Sequence, residues 1–134
     1  MDGVHNRAFR YLDTEADRKA LAADIRHVRQ TVTHMAASIP PDRHFEPRYH
    51  GWSPAALLAH LHTIDNLALF GMQMALVGIR PPLPLGALNA FNDFTARFFQ
   101  KRLLETTLRG ITANEARIIE FIMTLPMERF TTQV

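Results

Sequence analysis

Leu21, Ile25, Val28, Val32, Met35 and Ile39 recur at alternating intervals of four and three residues. A strand cannot use that period, because its side chains change face at every residue, whereas on a helix it draws one continuous stripe. Such a stripe is the seam of a helix laid lengthwise against another. Thr14, with Asp17 three residues on, forms a capping box at its start, and Pro40-Pro41 closes it, so a helix is predicted over about 15–38. His27 and His34 fall on the opposite face and are expected in solvent.

The next helix signal is sharper. In Gly51-Trp52-Ser53-Pro54, the Ser53 hydroxyl is suited to accept from a first-turn amide, and Pro54 occupies a position where no donor is needed. The helix is predicted over about 54–77, with Gly78 as its stop. Leu57, Leu61, Ile64, Ala68, Met72 and Ala75 form its apolar side and His62, Asn66 and Gln73 the opposite one. His60 flanks the apolar side and is predicted to face inward, while His62 is predicted to face water. The two imidazoles point about 160° apart on a regular helix and cannot share one metal ion.

Between these helices, residues 40–53 form a proline-containing connection that carries His44 and His50. After Gly78, Arg80-Pro81-Pro82-Leu83-Pro84 imposes an extended path that reads as a crossover between the ends of a bundle. Phe91, Phe94 and Phe98 then mark a short helix over about 89–99. Leu104, Leu108, Ile111, Ile118, Ile122 and Leu125 belong to a stripe of different phase, predicted as one helix over about 102–125. Thr112 with Glu115 offers a competing start after Gly110, but the stripe keeps its phase through the glycine, which costs a helix interior about 1 kcal/mol. Glu115 then falls within the stripe, where a carboxylate needs a partner or water: it is read either as a helix-start carboxylate or rim salt bridge, or as facing His60. The fold class is all-α: three long helices, one short one, and no strand pattern.

Composition removes several functions. A chain of 134 residues, 47% of them apolar, makes a single domain. With no cysteine there is no disulfide, thiolate metal site or cysteine nucleophile, which fits a cytoplasmic setting, and any metal must be held by histidine or carboxylate. No export signal is read at the N-terminus, and the longest apolar tract, 67–79, is shorter than the roughly 20 residues of a membrane span. The net charge is +2 and its arginines form no stripe, so neither nucleic acid nor membrane is an expected partner. Ser38 and Ser53 lack a base at a usable spacing, and the glycines form no phosphate-cradling loop.

The segment from Gly51-Trp52-Ser53-Pro54 to His60-Leu61 resembles the DinB-like, or YfiT-like, damage-inducible four-helix bundles, whose second helix has a Trp-Ser entry and a later His-Leu. The proline-rich crossover, Leu88-Asn89-Ala90-Phe91-Asn92 and the ending Leu125-Pro126 are similar to the same family and to its ClbS and DfsB-type relatives. The resemblance implies an up-down-down-up bundle in which three histidines hold a divalent ion such as Zn or Ni, one from helix two and two from a later helix. His60 matches the first. This sequence has no histidine after His62 and ends at Val134, where the fourth helix of the family would begin.

Two expectations follow. As a DinB-like metal-dependent enzyme of the thiol-dependent transferase, isomerase or hydrolase class, the chain would use His60 as metal ligand with His50, His44 or Glu115 completing the set, and Trp52 at the mouth of the cofactor or ligand site. As a non-catalytic bundle, it would keep His60 as a satisfied core histidine and Trp52 as an aromatic anchor sealing the end of the bundle, and bind a small ligand or a partner through the apolar groove that a missing helix leaves open. That groove is covered by the Phe-rich helix, by a second copy of the chain or by further chain of a longer product. A homodimer is the first expectation.

Overall fold

The computed structural model describes residues 12–48, 50–80 and 84–131. Four helices, α1 (Glu15–Ala37), α2 (Pro54–Leu76), α3 (Leu85–Phe98) and α4 (Leu104–Thr124), are joined by loops and a 3-10 turn at Pro41–Arg43, and a second turn, Met127–Thr131, follows α4. No strand occurs among the described residues. The caps read from the sequence are present. Thr14 and Asp17 make a reciprocal capping box, the Ser53 hydroxyl accepts from Ala56 N–H at 3.0 Å, and Gly78 takes the left-handed conformation (φ +81°) that ends α2. Of the crossover, Pro81–Leu83 lie outside the described residues.

α4 is the central helix and packs against both α1 and α2. Ala36, near the end of α1, clusters with Leu58, Leu104 and Ile111, while Arg18, near its start, donates to the Met123 carbonyl at 2.7 Å. α1 and α4 are therefore antiparallel. Leu58 meets the first turns of α4, and Leu69 meets Ile118 and Ile122 further along, so α2 and α4 are parallel. The three long helices thus run up, down, down. The order changes because the segment after α2 carries the chain back to the other end, largely as α3, which starts at Leu85, a turn earlier than the phenylalanine pattern predicts. Gln100 ties that return to the start of α2, accepting from Ser53 N–H at 3.0 Å and donating to the Gly51 carbonyl.

The seams are rotated from their predicted faces. In α1 the buried residues are Arg18, Ala22 and Ala36, and Val28 and Met35 are 60% and 65% exposed. In α2 Leu57, Leu61 and Ile64 are exposed, and Ala55, Ala56, Leu58, Ala59 and Leu69 are buried. Small side chains permit close helix approach, so α1 and α2 turn alanines into their contacts, and much of the predicted apolar stripe faces the space between them. α3 packs on α2 with Thr95 and Ala96 buried, leaving Phe94 and Phe98 in solvent as a stacked pair 5.9 Å apart. It does not line the space between α1 and α2.

Candidate functional site

A groove with mostly apolar walls runs between α1 and α2. Ile25, Val28 and Val32 form one wall, Leu61 and Ile64 the other, and Ile111 and Ile118 of α4 the floor, around a volume of about 400 Å³. Arg29 and Asp65 bridge the walls with two parallel hydrogen bonds of 2.7 and 2.5 Å, each side chain about four-fifths buried. The paired geometry neutralises both charges inside a trough whose other charged lining residue is Asp24. Phe130, on the turn after α4, packs with Leu21 and Met72 against the Leu69–Ile118–Ile122 cluster. Arg129 donates to the Leu76 carbonyl and anchors that turn to α2.

The residues proposed from sequence as metal ligands do not converge. Among the described residues no three histidine or carboxylate side chains come together in a metal-binding group. His44 has its Nε2 on the Ile39 carbonyl at 2.9 Å. His50 is exposed at a left-handed backbone position (φ +50°). Glu115 lies in a different hollow, between α1 and α4, with Arg26, Gln30, Thr33 and His34, instead of opposite His60. Asn114, one position earlier, occupies the interior of the stripe, and that register turns the carboxylate aside. The family's three-ligand set therefore does not fit the residues present, and no chemical step is built on it.

His60 itself is half-buried, with Nδ1 shut off from solvent and without a hydrogen-bond partner, and its ring meets Trp52 edge-on at 5.1 Å. Burial holds its pKa below the usual histidine value and so favours the uncharged ring. Trp52 contacts the candidate histidine; nothing in the geometry assigns it a cofactor.

His62, expected in water, sits instead at the contact of α2 with α4. Its ring lies against Gly110, where a Cβ would come within 2.6 Å of Cε1, and its Nδ1 is 3.2 Å from the Asn114 amide nitrogen. The same nitrogen donates to Asn66 Oδ1 at 2.9 Å. Burial, reinforced by Arg102 and Arg117 and opposed by Asp65, lowers the His62 pKa. Sequence reading missed this trio because Asn66 and His62 fall opposite the apolar stripe. The available signal was Asn114, set among Ile111 and Ile118 at helical spacing, with Gly110 one turn before it.

Comparison with family models, with curated proteins and with solved structures finds no match for this chain. No helix among the described residues is long and apolar enough to cross a membrane.

Proposed function

We propose that this chain is a binding bundle whose working surface is the open α1–α2 groove. The observation that carries the reading is the exposure of Val28, Leu61 and Ile64 on the two walls of a groove that also holds a largely buried, self-neutralised ion pair. Contiguous apolar surface of this kind has a free-energy cost in water that an occupant removes. The reading is tested by treating the protein with chelator and comparing it with Leu61→Glu. Chelation leaves thermal stability and association unchanged, whereas the groove substitution alters association or apolar-probe binding. Stoichiometric Zn or Ni, lost on His60→Ala, together with groove variants that change nothing, contradicts it.

A second reading, the DinB-like metal-dependent enzyme with an incomplete ligand set, is favoured by the buried and unpartnered Nδ1 of His60. The up, down, down order of the long helices also agrees with what the family resemblance implies. A divalent ion bound there would supply Lewis acidity, with His60 as its one ligand from the described residues. Elemental analysis of protein purified without added metal tests it, since a metal-free preparation leaves only the binding reading.

A further inference from the structure

We infer that the occupant of the α1–α2 groove is a second copy of this chain, joined face to face through α1 and α2. The inference rests on the groove-binding reading above and commits it to one partner.

The first argument is shape. Small-molecule sites enclose most of their ligand, typically about 70–90% of its surface. Here the walls stand open, with Val28 60%, Leu61 43% and Ile64 38% exposed, so a small ligand would remain wet along one side. A long trough between two helices suits another helical face.

The second argument is charge. Asp24, Arg29 and Asp65 are the charged residues that line the groove, and the last two neutralise each other. Asp24 also takes part in an interaction of its own. A polyanion needs several unpaired cations, and a strongly charged peptide needs the opposite sign; neither is on offer. A face that is mostly apolar, with Asp24 as its one charge outside the Arg29–Asp65 pair, suits a partner that is itself mostly apolar, and a copy of this face meets that requirement.

The third argument is size. α1 and α2 are 23 residues each, so side by side they present a face on the order of 700 Å², from about 34 Å of length and about 10 Å of width per helix. A stable interface takes about 800 Å² from each partner. Two antiparallel helices from each copy, related by a two-fold axis, complete a four-helix layer in which Val28, Leu61 and Ile64 are covered on both sides.

Sedimentation equilibrium of the whole chain and of three variants, with circular dichroism as a check on folding, tests this. The wild type is expected at twice 15.3 kDa. Val28→Glu and Leu61→Glu change exposed positions, and each is expected to lose the dimer while keeping its helical signal. Phe70→Glu, on another face of α2 and 57% exposed, is expected to remain dimeric. A wild type that stays monomeric overturns the inference, as does a dimer that survives both groove substitutions. Titration with an anilinonaphthalene sulfonate separates the two levels of the argument. A monomer whose groove binds this probe, with loss of binding in Leu61→Glu, overturns the second copy and retains the binding groove. A monomer that binds no probe overturns both.

Discussion

His62 and Asn114 fix each other's chemistry. The Asn114 amide nitrogen, which carries only donors, lies 3.2 Å from His62 Nδ1 and 2.9 Å from Asn66 Oδ1. His62 must therefore accept at Nδ1 and carry its proton at Nε2. A proton added to Nδ1 would set donor against donor unless the Asn114 and Asn66 amides both turned over. The contact is built for the neutral imidazole.

Stability should accordingly depend on pH. The folded-state pKa values of His62 and His60 both lie below the ordinary histidine value, so the unfolded chain binds protons first as pH falls. The contribution of these residues is complete above about pH 6.5 and is lost as pH drops from there through the folded pKa values. Thermal midpoints measured at pH 7.5 and 5.5 should fall with acid, and His62→Gln should lessen the fall. A midpoint independent of pH over that interval contradicts the neutral-ring assignment.

Gly110→Ala is expected to destabilise the protein, although alanine favours a helix interior by about 1 kcal/mol. The new methyl would stand 2.6 Å from His62 Cε1 and 2.7 Å from Nε2, and overpacking of this kind costs about 1–3 kcal/mol. In a His62→Ala background the clash is gone and the same change should stabilise. Urea denaturation of the four proteins in this cycle reads the reversal of sign. An equal effect of the alanine in both backgrounds would show that the ring does not determine the glycine.

Removal of Arg18 should loosen the junction of α1 with the end of α4. This guanidinium is 5% exposed, donates to the Met123 carbonyl at 2.7 Å, lies 3.4 Å from Glu15 and sits 5.3 Å over the Phe130 ring. Arg18→Ala is expected to cost about 2–3 kcal/mol, as expected when a buried, charge-assisted bond and its packing are lost together. A loss below about 0.5 kcal/mol in urea melts would assign the contact no structural weight.

The Arg29–Asp65 pair should behave as a unit. Arg29→Met or Asp65→Leu alone leaves a largely buried charge unpaired and is expected to cost about 3 kcal/mol. The double variant should recover much of that loss, with a coupling of about 1–3 kcal/mol. Additive effects would mean that solvent, and not the partner, satisfies each charge.

The helices were legible because their signals are local. Thr14 with Asp17, and Ser53 with Pro54, mark starts through hydrogen bonds within one turn, and the phase of the last stripe carried the long helix correctly through Gly110. The faces were less legible because periodicity marks an apolar side without naming its neighbour. On α2 Ala55, Ala56, Ala59 and His62 pack inward, and Leu61 and Ile64 border the groove. Glu115 was read as interior for a related reason. Asn114 occupies that place, and a single step of about 100° separates a buried amide from a carboxylate in another hollow. The dispersal of His44, His50, His60 and Glu115 depends on loop paths and helix rotation, which spacing does not encode.

The central claim is that the α1–α2 groove is covered in solution. A chain without cysteine permits a direct measurement, the rate at which a single introduced thiol is alkylated. Val28 and Phe70 are 60% and 57% exposed, so in an isolated chain Val28→Cys and Phe70→Cys should react alike. With the groove covered, the thiol at position 28 is expected to react at least about tenfold more slowly than that at position 70. Equal rates at the two positions would contradict the account.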